Sequence, residues 1–174
     1  TDTDENCPTL TFNTIGRHQS RLVRTRIASN KSPWLALTEV GDIYNVPISH
    51  GEGKFLASPE LIAKLAENGQ IATQYVDLEG KATANIDFNP NGSLCAIEGI
   101  TSPDGRVLGK MGHSERVGKE IYKNVPGNYD LHLFESAKDY YHIEIIPQGV
   151  EEYTLWDKMC TNSFRGSSRQ YGLM

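Results

Sequence analysis

The stretch Glu98-Gly99-Ile100-Thr101-Ser102-Pro103-Asp104-Gly105-Arg106-Val107-Leu108-Gly109-Lys110-Met111-Gly112-His113-Ser114-Glu115-Arg116 sets the reading of this chain. Two short apolar runs, Cys95 to Thr101 and Arg106 to Met111, flank Ser102-Pro103-Asp104-Gly105. Proline presets φ and glycine accepts positive φ, so a β-hairpin is predicted with its turn there. The second strand then runs into a loop carrying His113 and Glu115. A His two residues before a Glu at a strand end can turn both side chains to one side. The carboxylate can then accept the imidazole Nδ1–H and leave Nε2 free as a base. By itself a His-x-Glu triplet is also the pattern of a solvated surface turn.

Working outward, Thr9 to Ile15, Ser20 to Ile27, Ile43 to Ile48 and Ile71 to Val76 read as further strands. Ser58-Pro59 opens a helix that Gly69 ends, with Leu61, Ile62 and Leu65 on one face. Asp77 to Gly80 and Asn89-Pro90-Asn91-Gly92 read as turns. A last helix is predicted over Tyr129 to Tyr141, with Leu131, Leu133, Phe134 and Ala137 inward. The pattern is α/β with some antiparallel pairing. Pro47-Ile48-Ser49-His50-Gly51-Glu52-Gly53 also follows a strand. Its two glycines would let backbone approach a ligand, and a plain strand-ending turn reads the same way.

The 174 residues suit one domain of ordinary size, and 38 % hydrophobic with 22 % charged residues fits a soluble protein. A formal net charge of −5, without a basic stripe interleaved with aromatics, argues against nucleic acid. No apolar run is long enough to span a bilayer. Thr1 to Glu5 is acidic and does not read as a secretory signal. Cys7, Cys95 and Cys160 are widely spaced, which favours reduced thiols and a cytoplasmic location. No CxxC or HxxxH spacing suggests zinc, and no metal site is expected.

The motifs, taken in order, resemble the glutamine amidotransferase domain of phosphoribosylformylglycinamidine synthase, of the class I (triad) type. The resemblance is carried by Pro8 to Asn13 with Arg17 to Arg24, Val46 to Phe55, Gln74 to Asp77, Asn89 to Ser93, Glu98 to Val107 and Met111 to Arg116, covering roughly residues 8 to 141. It implies the C-terminal portion of a flavodoxin-like three-layer α/β domain with a mixed sheet. It implies hydrolysis of glutamine to supply ammonia to a synthetase region, which uses ATP and magnesium for de novo purine biosynthesis. No cofactor is expected in this chain itself.

Carried over residue by residue, the resemblance makes His113 the triad base and Glu115 its orienting acid. Ser49, Gly51 and Glu52 match the segment that grips the amino-acid end of glutamine. His50 belongs to that motif without being a triad member. Many relatives have proline where Gly112 and Ser114 stand, positions read here as shaping the loop and carrying no chemistry.

The resemblance also implies a preceding parallel-strand half with a Gly-x-Cys-x-Gly nucleophile elbow, which this sequence does not contain. Cys7 precedes a proline in a polar terminus, Cys95 reads as a buried thiol inside a strand, and Cys160 lies in an unassigned tail. The expectation is a partial domain over 1–141, inactive alone, with 142–174 as an extension. Its expected partners are the synthetase region or the missing N-terminal half, with a homo-oligomer as another cover for exposed sheet. The run Ile143 to Ile146 is expected to add a strand, and Gly166-Ser167-Ser168 to be flexible. A non-catalytic interaction module and one half of a split enzyme are the alternative readings.

Overall fold

The computed structural model describes residues 7–118 and 120–142. The expected strand at Ile143 to Ile146, Cys160 and Gly166 to Ser168 lie outside them.

The described strands are β1 (Thr9–Thr11), β2 (Gln19–Ile27), β3 (Ile43–His50), β4 (Lys54–Leu56), β5 (Ile71–Tyr75), β6 (Ile97–Thr101) and β7 (Leu108–Lys110). The helices are α1 (Pro59–Glu67) and α2 (Leu133–Tyr140). Five strands form one sheet in the order β3-β2-β5-β6-β7, and β1 pairs with β4 in a small second sheet. Every ladder among the described residues is antiparallel. The mixed sheet of the sequence reading therefore does not occur among them. Hairpin-like returns join β2 to β3 and β6 to β7, whereas parallel neighbours need a crossover back to the same end.

Local chemistry explains the element ends. Ser58 Oγ accepts the Leu61 N–H at 3.2 Å, and Pro59 occupies the first helical position of α1. The helix closes in a Schellman arrangement. Gly69, at φ +64°, donates to Ala66 O, and Gln70 donates to Leu65 O. The turn after β6 forms as predicted: Gly105 N donates to Ser102 O at 2.9 Å with φ +77°. Its tip is pinned, because Ser32 Oγ donates to Gly105 O at 2.7 Å and Trp34 Nε1 donates to Arg106 O at 2.9 Å.

Three expectations shift. The first strand stops at Thr11, because Asn13 turns the chain and its side chain donates to Arg17 O. The strand expected from Cys95 begins at Ile97, since Cys95 and Ala96 adopt φ of 50° and 57° in a 3₁₀ turn, Leu94–Ala96. Cys95 is consequently exposed, not a buried thiol. Finally, α2 starts at Leu133, after His132 in the left-handed region. Leu131 and Ala137 are buried and Leu133 partly so, but Phe134 is 51 % exposed. With that start, Ser136 and Ala137 take the inward face and Phe134 lies off it, one edge against Trp34 at 6.5 Å between ring centroids.

The core comprises three groups: Ile27, Leu35, Tyr44, Val46, Ala72 and Leu131; Val23, Ile48, Tyr75 and Ala96; and Phe55, Leu65, Ile71 and Ile97. No helix among the described residues is long and apolar enough to cross a membrane.

Candidate active site

The site forms where the two ends of the sheet order meet. Edge strand β3 contains Pro47, a residue tolerated there because an edge does not need every N–H. Its carbonyl accepts the His113 N–H at 2.8 Å. That bond ties the loop after β7 to the far edge, so the sheet curls and brings Ser49–Gly53 and Gly112–Arg116 to one place.

His113 Nδ1 lies 2.7 Å from Glu115 Oε1. His113 precedes the short 3₁₀ turn Ser114–Arg116 and Glu115 is its middle residue, so a two-residue separation suffices for the contact. Burial alone would raise the Glu115 carboxyl. Hydrogen bonds from its own backbone N–H and from His113, with the positive charges of His113 and Arg116, outweigh burial and hold it below the ordinary carboxylate value. An ionised carboxylate only accepts, so in the neutral imidazole Nδ1 carries the proton and Nε2 presents a lone pair. The imidazole is about a quarter exposed and Glu115 mostly exposed.

Ser49 is the penultimate residue of β3, and Gly51 and Glu52 lie in its link to β4. Ser49 Oγ is 3.4 Å from His18 Nε2, and Glu52 is exposed. The link is held from behind by buried asparagines. Asn13 Nδ2 donates to His50 O at 2.8 Å, its Oδ1 accepts Gly53 N–H at 3.0 Å, and its N–H donates to Gly51 O at 2.9 Å. Asn91 joins the buried Tyr75 hydroxyl (2.7 Å) to His50 Nε2 (2.9 Å). A Cβ on Gly53 would stand 2.3 Å from the His50 ring, whereas one on Gly51 meets nothing within 4 Å. Glycine is therefore required by packing at position 53, and Gly51 stands beside open space.

Burial lowers the His50 pKa below its ordinary value. The Asn91 hydrogen bond opposes this, nearby His113 and His18 add to it, and Glu98 opposes it. His50 is thus held neutral and packed rather than offered to solvent.

All five residues expected from sequence reach this region: His113 and Glu115 touch, and Ser49, Gly51 and Glu52 form the adjoining segment. Sequence reasoning gave no role to Asn13 and Asn91, buried polar residues that lie in two of the stretches carrying the resemblance, Pro8 to Asn13 and Asn89 to Ser93. It also missed Glu98 and Lys110. A lone carboxylate inside the apolar run Ala96 to Ile100 was the available signal. Elsewhere, Asp130, His132 and Glu135 bring ligand atoms within 4.8 Å, but all three are exposed, an ordinary arrangement of surface acids.

Residues 1–141 match the CobB/CobQ-like glutamine amidotransferase domain. The phosphoribosylformylglycinamidine synthase subunit PurQ of Chlorobaculum tepidum is 39 % identical over 120 residues, 69 % of this chain and 49 % of that protein. PurQ of Thermus thermophilus is 41 % identical over 105 residues, 60 % of this chain and 44 % of that protein. The chain thus spans about half the length of these curated relatives. The structure of PurLQS from Thermotoga maritima superposes with a TM-score of 0.59 at 24 % identity, covering 78 % of this chain and 53 % of that one, a likeness of fold. With the matched region containing both segments of the site, the chain belongs to the CobB/CobQ-like glutamine amidotransferase domain family.

Proposed function

We propose that this chain supplies the base, its orienting acid and the glutamine-gripping segment of a glutaminase site in a phosphoribosylformylglycinamidine synthase. The observation that carries the reading is the 2.7 Å His113–Glu115 contact held beside Ser49–Gly53. In the proposed reaction, His113 Nε2 takes the proton of a cysteine thiol, and the thiolate attacks the glutamine amide carbon. The imidazolium, stabilised by Glu115, gives that proton to the departing nitrogen, and ammonia leaves. His113 then deprotonates water, which hydrolyses the thioester to glutamate. Ser49, Gly51 and Glu52 hold the amino-acid end of the substrate.

No cysteine of these 174 residues sits in a Gly-x-Cys-x-Gly turn, so the proposed reaction takes its sulfur from such a turn outside them. The relatives are named as subunits of the synthase, which supports a synthetase polypeptide as the consumer of the ammonia. ATP and magnesium belong to that partner in this reading.

The test joins the chain to the N-terminal half of a relative's domain bearing the elbow and measures glutamate released from glutamine. Release is expected only from the combination. His113→Ala should lower the rate by about 10⁶, the scale of losing the base of a triad. A variant as fast as the parent would sink the reading.

A further inference from the structure

Behind the His113 loop lies an ion pair that the proposed reaction does not use. The side chain of Glu98, in β6, has no exposed surface, and that of Lys110, in β7, is 10 % exposed. Lys110 Nζ stands 3.3 Å from Glu98 Oε1. The second carboxylate oxygen accepts from Thr73 Oγ1.

Both charges also grip the chain just ahead of His113. Glu98 Oε1 accepts the Gly112 N–H at 2.5 Å. Lys110 Nζ donates to Gly112 O at 2.9 Å and to Ser114 Oγ at 3.3 Å. The two peptide groups flanking the Gly112 α-carbon are thus held from opposite sides by opposite charges. No side chain fits at that point: a Cβ on Gly112 would lie 2.3 Å from Val46 Cγ1 and 2.8 Å from Glu98 Oε1. With Gly112 held, and His113 N–H on Pro47 O, the origin of the imidazole is defined on both sides.

A buried ion pair is a poor device for stability alone. Its desolvation offsets much of its Coulomb attraction, and apolar replacements often serve as well. Here Lys110 and one oxygen of Glu98 direct their further hydrogen bonds to one loop.

We propose that Glu98 and Lys110 are positioning residues for His113: their buried pair clamps Gly112 and Ser114 so that the imidazole Nδ1–H meets Glu115. This rests on reading His113 and Glu115 as base and orienter. Neither Glu98 nor Lys110 touches substrate in it.

The test is long-range ¹H–¹⁵N NMR of the His113 imidazole in the full chain, with thermal unfolding alongside. The unmodified chain should show the Nδ1–H tautomer. The double variant Glu98→Gln/Lys110→Met removes both charges together and leaves no unpaired one, so it should melt near the parent temperature. In it the Nδ1–H signature of His113 should be lost. A double variant that melts like the parent and keeps that signature overturns the clamp while leaving the base-and-orienter reading intact. Should the double variant not fold, Ser114→Ala carries the test. It removes only the loop end of the clamp and should weaken the signature, and an unchanged spectrum overturns the proposal. An unmodified chain with His113 as the Nε2–H tautomer fails the underlying reading itself, and the clamp with it.

Discussion

Two segments meet at one end of this sheet, and they are held by opposite means. Ser49–Gly53 is fixed by neutral groups: Asn13 takes three backbone partners there, and Asn91 ties His50 to Tyr75. Gly112–Arg116 is fixed by charge, with Glu98 and Lys110 behind it and Glu115 in front. The difference follows from the proposed tasks. A stretch that grips a substrate through backbone needs a shape, and buried amides define shape independently of pH. A base needs a fixed tautomer and a partner for the charge it gains, and an ionised carboxylate provides both.

The sharpest way to break this contrast is Glu115→Gln. The amide keeps the size and an acceptor but loses the charge. In the combined glutaminase assay the rate should fall about 10⁴-fold, as when the acid of a triad is removed. Stability should barely change, because the carboxylate is largely exposed. A rate within tenfold of the parent would mean that this loop, too, works by shape alone.

Asn13→Ala should do the reverse. It strands the Gly53 N–H and removes partners from His50 O and Arg17 O. Urea unfolding should show a loss of about 3 kcal/mol, the scale of leaving buried polar groups unpaired. The His113 tautomer should be untouched, and a change in it would show that the two segments are one unit.

The smallest effect separates them by pH. The folded His50 pKa lies below the ordinary 6.5, chiefly through burial. The unfolded chain therefore binds more protons between those two values, so stability is full above about pH 6.5 and falls as pH drops through the folded value. The melting temperature should decline modestly from about pH 7.5 to 5.5, and His50→Gln should flatten that decline. Glu115, also lowered, acts in a separate window below its ordinary 4.5. A decline that persists unchanged in His50→Gln would mean that another group titrates there.

Much of this was legible in the residues. Ser58-Pro59 with Gly69, and Pro103-Asp104-Gly105, specify their turns through backbone chemistry that tertiary packing does not override. His113 and Glu115 were readable because their contact is local. The start of β6 was not, since nothing local announces that Cys95 and Ala96 adopt positive φ. Nor was Phe134, whose exposure turns on a four-residue shift in the start of α2. Gly112 and Ser114 read as loop-shaping residues of no further account. Their engagement by Glu98 and Lys110 depends on strand register, with Gly99 opposite Lys110, and register is a property of the folded sheet.

The pinned tip of the β6–β7 hairpin has a mechanical meaning. A hairpin anchored only at its root swings like a cantilever, with the largest excursions at the free end. This one is supported at Ser32 and Trp34 as well as at the root, so it behaves as a beam held at both ends. Its bending modes are stiffened, and the imidazole at its root inherits a steadier mount. Ser32, remote from His113 in the chain, is in that sense part of the mounting.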